Sequence, residues 1–464
     1  MCVIAQIRFH HGTIVLRMSS SPAQPVKLHR SLGLFQLLVM GIIMVQPTAP
    51  MPPFGAISAG ANGHVVTTVL MAMFAMLLTA ISYGRMARAY PSAGSAYTYV
   101  AREIHPALGY LTGWSMLLDY VVNPLICTIW CAKALMGIFP GTPYGMWAVG
   151  FALLFTALNL RGIQATARTN ALLTLAMGAV IAWMLIASVR YLMGMPQLTA
   201  DVFTKPFYDP ERFSWRTLSN GASIAVLTYI GFDGISTLSE EVKDPRRNIL
   251  KAMVGTCLII GVLSAVEVYV AQMVWPASQP YPDSDTAYIH IAGRAGGTLL
   301  FQVMTWTLVI ATVGSASGAM LAGGRLLFGM GRDNAIPNSF FGYLDPRTRV
   351  PSRNVMLIGG FCLGGSFMMS YQTGAELLNF GALIGFMGVN LASLMHYYVR
   401  GEDRRLSHLL TPAIGFLVCL YLWLSLSPLA KIAGGAWLVF GVAYGAYKTG
   451  GFRKDVIRFD VPEE

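Results

Sequence analysis

The sequence predicts an all-α membrane protein of twelve transmembrane helices, with a five-plus-five inverted-repeat core whose first and sixth helices are broken. Three observations carry this. Of its 464 residues, 55% are hydrophobic and 11% charged, and the mean hydropathy is +0.56, against roughly 25% charged residues in a soluble domain. The basic residues fall on alternate sides of the apolar runs. Two of those runs, five apart in the order, are interrupted at mid-depth.

Spanning a bilayer takes about 20 apolar residues. The runs place spans at 33–59, 65–84, 107–137, 144–160, 169–193, 217–240, 250–274, 298–323, 354–370, 376–399, 408–426 and 431–447. With the N-terminus inside, the segments on the cytoplasmic side hold 25 of the 32 Lys and Arg residues, the opposite side holds six, and Lys133 lies within span three. This is the split the positive-inside rule requires. A miscounted span would scramble it, and it accounts for the net charge of +11 without a nucleic-acid partner. Both termini are therefore expected inside, in the plasma membrane (a bacterial inner membrane), with the lipid bilayer as the chief partner.

Residues 1–31 read as a cytoplasmic tail. Arg8, His10, His11 and Arg17 interrupt its apolar stretches, and no signal-peptide core or cleavage site stands out. Met18 opens a polar Met-Ser-Ser-Ser-Pro stretch, so residues 1–17 are read as preceding the true start; a peptide from them in the native protein would refute that. Residues 32–400 form the ten-helix core, 401–448 two peripheral helices and 449–464 a cytoplasmic tail. Five of the six cysteines lie in apolar runs, which suits packing and not a disulfide framework.

Span one contains Gln46-Pro-Thr-Ala-Pro-Met-Pro-Pro-Phe54. Each proline lacks an N–H and clashes with the preceding turn, so no α-helix runs through Pro47, Pro50, Pro52 and Pro53. Irregular backbone at membrane depth is tolerated where it is buried in protein or lines a cavity. Paired breaks in two halves of a chain point to a secondary transporter's binding site. Span six supplies the second break in Tyr229-Ile-Gly-Phe-Asp-Gly234. Gly231 and Gly234 each cost about 1 kcal/mol in a helix relative to Ala, and Asp233 between them costs roughly 2.5–3.5 kcal/mol at mid-membrane.

No G-x-x-x-x-G-K-[ST] phosphate loop, G-x-S-x-G elbow or H-E-x-x-H pair occurs, and the eight histidines are dispersed. The chemistry of an enzyme or ATP-driven pump is therefore not written in the chain, and no cofactor or metal is required.

Several ordered motifs resemble the amino acid–polyamine–organocation permeases. They are Pro91–Tyr99 after Tyr83-Gly84-Arg85, Tyr229–Glu241 with Val242–Ile249, and Gly329–Pro337. Gly113–Tyr120 and Ala80–Gly84 look like the bacterial putrescine-importer branch. The resemblance runs from about Ser31 to Arg400. It implies a LeuT-like core, alternating access and coupling to an ion gradient, with a small amine (putrescine or a similar polyamine) or an amino acid as substrate. A non-transporting sensor or scaffold is the reading from another class.

Half-helix N-termini favour anions and half-helix C-termini favour cations. Amino acid permeases of this superfamily offer N–H groups of a Gly-rich span-one break to a carboxylate; Pro50, Pro52 and Pro53 remove three such donors here, which favours an ammonium. The importer branch carries an acid in this break where the chain has Pro52, which leaves a second ammonium short of a counter-charge. The candidate substrate residues are Gln46, Thr48, Met51, Asp119, Tyr120, Tyr229, Phe232, Asp233 and Glu376, the aromatic ones through cation–π contacts of about 0.5–2 kcal/mol. Glu267 is a candidate proton carrier. Ser315 and Ser317 match the region where sodium-coupled relatives hold Na⁺, with close helix packing beside Gly314 and Gly318 as their alternative role. A proton is the expected coupling ion. Glu240 and Glu241 are candidates for a cytoplasmic gate, and Lys133 is an intramembrane cation able to snorkel outward past Ile138.

Overall fold

In the computed structural model, the structure describes residues 6–10, 13–17, 32–91, 95–162, 167–195, 199–239, 241–332, 336–402 and 404–451. Its helices are α1 (Leu34–Val45), α2 (Phe54–Gly60), α3 (Val65–Ala89), α4 (Ser95–Glu103), α5 (Pro106–Ile138), α6 (Tyr144–Leu160), α7 (Ala167–Met193) and α8 (Ala200–Thr204). They continue with α9 (Trp215–Ala225), α10 (Pro245–Val274), α11 (Ala287–Arg332), α12 (Asn338–Phe341), α13 (Ser352–Met368), α14 (Tyr371–Leu394), α15 (Leu406–Leu424) and α16 (Pro428–Thr449). Among the described residues nine helices are long and apolar enough to cross a membrane; Leu34–Val45 and Tyr144–Leu160 are shorter apolar helices.

Local chemistry sets several ends. His105 accepts from the Ala107 N–H and Pro106 opens α5, where its missing N–H is no loss. Ser370 and Ser427 cap α14 and α16. Gly450, at φ +62°, ends α16 in the left-handed region.

Two segments add detail to the sequence expectation. Within the stretch read as preceding the true start, Gln6–His10 (β1) and Thr13–Arg17 (β2) pair antiparallel, Ile7 opposite Leu16 and Phe9 opposite Ile14. β-Branched and aromatic residues on either side of a two-residue connection favour that pairing. The remainder of 1–31 lies outside the described residues. The second is α11, in which two helices meet at Gly297, φ +74°, so the spanning part begins at the predicted 298 and a shorter helix leads into it; a residue with no Cβ is what permits that backbone.

α10 packs along α3, and α5 packs along α14 and α11. Buried amides tie the bundle: Asn390 Nδ2 donates to Thr79 Oγ1 at 3.0 Å, and Asn379 Nδ2 to the Ser223 carbonyl at 2.8 Å. α15 lies on α14 and α3. α16 is pinned to α5 by the stacked rings of Trp114 and Trp437, 4.7 Å apart, each indole N–H donating to the other's carbonyl at 3.0 Å. The five described cysteines are buried and free.

Both predicted breaks are present. α1 stops at Val45, Gln46 takes φ +74°, and turns carry the chain to α2. In the sixth apolar run α9 gives way to two 3₁₀ segments, Val226–Tyr229 and Phe232–Leu238, hinged at Ile230-Gly231. The breaks touch. A Cβ on Gly231, at φ +110°, would lie 2.9 Å from the Met44 carbonyl oxygen. Gly231→Ala therefore combines a left-handed backbone with a backbone collision. Such strain costs about 1–3 kcal/mol, so the variant is expected to melt below the wild type; an unchanged melting temperature would mean the two breaks are free to part.

Candidate functional site

A cavity enclosing about 670 Å³, including the solvent it opens onto, lies where the two breaks cross. The first break contributes Met44–Gln46, Thr48, Ala49, Pro52 and Pro53, and the sixth run contributes Leu227 and Ile230. One stripe of α5, Asn123, Ile126, Cys127 and Trp130, forms a wall at the i, i+3, i+4, i+7 spacing of a helix face. α11 adds Leu308, Ala311, Thr312 and Ser315, and Tyr371 opens α14 beside them.

Among the described residues the lining carries no charged side chain. Its polarity comes from amides, hydroxyls and backbone. α1 and the Val226–Tyr229 turn both end at the cavity, so each presents a carbonyl pole. Gln46 Nε2 spends one donor on the Ala311 carbonyl at 3.1 Å. Thr48 Oγ1 points to Met177 Sδ at 3.8 Å. The Trp130 and Tyr371 rings give the wall aromatic surface, to which a cation is attracted.

Of the predicted substrate residues, Gln46 and Thr48 line the cavity. Met51 is buried behind it. Tyr229 is fully buried, its hydroxyl donating to the Val69 carbonyl at 2.9 Å. Asp119, Tyr120 and Asp233 form a separate group within electrostatic range of one another, and Tyr83 lies within range of Tyr120 and Asp233. Asp233 sits three residues beyond the lining Ile230, in the first turn of the Phe232–Leu238 segment. The acid thus stands at the positive pole of its own half-helix, a signal readable in the Gly-Phe-Asp-Gly string. Glu376 is elsewhere: it accepts from the Ser427 N–H at 2.7 Å and from Gln372 Nε2 at 3.1 Å, joining α14 to the start of α16.

Phe232 belongs to a plug below the cavity. Its ring centroid lies 5.6 Å from that of Tyr83 and 5.4 Å from that of Phe386, and Tyr99 packs on Tyr83 at 6.2 Å. All four rings are buried. Beneath the plug lies a basic end of the molecule, where Arg88 donates to the Arg246 carbonyl at 2.8 Å and Tyr397 to the Arg85 carbonyl at 2.7 Å. Here α4 is bolted across the bundle. Ser95 Oγ lies 2.9 Å from Ser236 Oγ, while the buried Glu103 carboxylate takes hydrogen bonds from Tyr90, from His396 Nδ1 at 2.6 Å and from Arg400 Nη1 at 3.2 Å. Burial, and then the bond to Glu103, push the Tyr90 phenol up to about 12. The Glu241 backbone pairs with Leu32, bringing the entry to the first apolar run against the exit of the sixth. Glu240 lies outside the described residues.

Ser315 is at the cavity wall, whereas the Ser317 hydroxyl is buried without a partner among the described residues. Gly314 and Gly318 face open space, so close packing through small residues does not occur there. Lys133 does not snorkel past Ile138; it bridges Asp285 at 2.6 Å and Asp283 at 3.5 Å in the loop before α11. Sequence reading missed Asn123, Trp130 and Tyr371. The α5 stripe was readable as a helix face, but nothing in the chain says which face meets the breaks.

A multi-pass membrane protein, helical apart from the β1–β2 pair, with a cavity at the crossing of two broken helices defines the class. Comparison with known proteins makes it particular. The profile of the family described as Amino acid permease matches residues 53–459. The chain is 34% identical over 449 residues to the low-affinity putrescine importer PlaP of Escherichia coli (strain K12), covering 94% of this chain and 97% of that one. It is 25% identical over 457 residues to the methylthioribose transporter of Bacillus subtilis (strain 168), covering 92% and 95%. It is 26% identical over 439 residues to the branched-chain amino acid permease BcaP of Lactococcus lactis, covering 88% and 92%. The chain belongs to the amino acid permease family, within the amino acid–polyamine–organocation superfamily.

Proposed function

We propose that this protein imports a small organic amine, with putrescine as the leading candidate, by proton-coupled alternating access. The observation that carries the reading is the cavity at the two breaks, which offers helix carbonyl poles and aromatic faces but no Lys, Arg or His. An ammonium is the ligand such a site suits. The 34% identity to a putrescine importer supports the same substrate class. Asp233 and Asp119, next along the path toward the plug, supply the negative field that the uncharged lining lacks. Gln46 and Thr48 orient the ligand, and Tyr120 closes the acidic group.

The architecture in this proposal is a twelve-helix bundle with a five-plus-five, LeuT-like core. α1 with α2, and α9 with its two 3₁₀ segments, are the equivalent broken members; α15 and α16 are peripheral. The basic end faces the cytoplasm in a bacterial inner membrane, with both termini there. The aromatic plug and the α4 bolt then close the inside. A proton is the coupling ion, with Glu267 favoured over Ser315 and Ser317. Transport, not catalysis, is the activity.

An amino acid is the second reading, because the cavity has apolar walls and no carboxylate of its own. Uptake of labelled putrescine, ornithine and a panel of amino acids into proteoliposomes, with and without a pH gradient, decides between them. Gradient-dependent putrescine accumulation is the expected result. Uptake confined to zwitterionic amino acids would replace the amine reading, and no uptake of any compound would end the transporter reading.

A further inference from the structure

Glu267 lies in α10, fully buried, and neither of its carboxylate oxygens has a hydrogen-bond partner among the described residues. Ser264, one turn earlier on the same helix face, is also fully buried with an unpartnered hydroxyl. An ionised carboxylate with nothing to pair with is costly at such a depth, so this packing suits the uncharged acid. Among the described residues Tyr288 is the one titratable side chain within electrostatic range of Glu267; α1, α3, α7 and the two 3₁₀ segments around the sixth break, all packed on α10, bring no charged group to it.

Tyr288 also connects this acid to the first break. Its hydroxyl donates to the Glu267 backbone carbonyl at 3.5 Å, and its ring meets Phe54, the first residue of α2, edge-on at 5.6 Å. Phe54 packs on Tyr281 as well, at 6.1 Å, and the Tyr281 hydroxyl lies 3.4 Å from Ser58 Oγ. Gly55 is pressed so closely on the Ser284 carbonyl that a Cβ there would fall 1.8 Å from the oxygen. α2 is thus clamped on the 281–288 segment, and that segment roofs the acid. On the other side of the clamp is a second cavity, lined by Gly55, Ser58, Tyr281 and Ser284.

We propose that Glu267 is the proton-carrying residue of the transport cycle, and that its proton exchanges with water only when α2 lifts from the Tyr281–Tyr288 clamp. The inference rests on the transporter reading above and adds the place and gating of the coupling step. When the clamp opens, water from the second cavity reaches the carboxyl group, which gives up its O–H proton to that water and is solvated as the carboxylate. Re-seating α2 requires the proton back.

The test separates the acid from the transport function. Ser58→Cys is introduced into a Cys2→Ser background and labelled with a hydrophilic maleimide, each rate normalised to the same thiol in unfolded protein. Labelling is expected to quicken from acid to alkaline pH with Glu267 present, and to lose that dependence with Glu267→Gln, which keeps the shape and cannot ionise. The same pH profile in both proteins, or a flat profile in both, overturns the proposal without touching the substrate assignment. In proteoliposomes, Glu267→Gln is expected to bring pH-gradient-driven putrescine accumulation down to equilibrium with the outside. Wild-type accumulation by the variant would also overturn it. Absence of uptake by the wild type would count against the transport reading, and the labelling result would still decide the gating of Glu267.

Discussion

Replacing Asp233 with Asn is expected to abolish concentrative amine uptake while leaving expression and melting temperature near those of the wild type. The two halves of that expectation come from different features of one side chain. Its carboxylate lies in the first turn of the Phe232–Leu238 segment, near that segment's positive pole, and Asn keeps the side chain's size and an amide oxygen able to accept a hydrogen bond. The fold should tolerate the change. The charge is what Asn removes, and no carboxylate lines the cavity to replace it. Truncating one partner of a desolvated charge pair costs about 2–5 kcal/mol, a loss of roughly 30-fold or more in apparent affinity. Asp119 is within electrostatic range of the same site, so Asp119→Asn should weaken uptake less. Near-normal transport by Asp233→Asn, measured as initial uptake rate against substrate concentration, would reduce Asp233 to a first-turn acid with no part in binding.

The first break was legible because four prolines in seven residues leave a helix no way through, and the second because two glycines flank an acid. Their contact was not. Gly231 meets the Met44 carbonyl across nearly 190 residues of chain, and nothing local encodes that approach. The same limit explains the candidate residues. Tyr229 and Phe232 are good cation–π residues by type, but bundle packing claims both, one through a hydrogen bond to α3 and the other through the Tyr83–Phe386 plug. Glu376 looks like an intramembrane acid in sequence, yet its partner is a backbone N–H at the start of the last helix. Lys133 is similar: its counter-ions lie in a loop 150 residues later. Residue type announced polarity at depth. The partner decided whether that polarity was free for a ligand.

Glu103→Ala is expected to be the most disruptive single change at the basic end of the molecule, loosening the closed state without altering the cavity. Glu103 gathers Tyr90 from the end of α3, and His396 and Arg400 from the end of α14, onto α4. Its carboxylate is buried, so removing it leaves donors and an arginine beside an empty acceptor; breaking a buried pair in this way costs about 3–5 kcal/mol. The exposed side of the cluster lowers that figure, since the Arg400 side chain is half in solvent. What remains is comparable with the few kcal/mol that separate alternative conformations, enough to shift the population toward a state open at this end. Ser236 reports that shift, because it is fully buried where α4 touches the Phe232–Leu238 segment through Ser95. In inside-out vesicles, a cysteine at position 236 should label slowly in an otherwise wild-type protein and markedly faster with Glu103→Ala. Glu103→Gln, which keeps an acceptor for Tyr90 and Arg400, should fall between them. Equal labelling in all three would mean that the aromatic plug of Tyr83, Tyr99, Phe232 and Phe386 closes this end unaided and that the Glu103 cluster only anchors a loop.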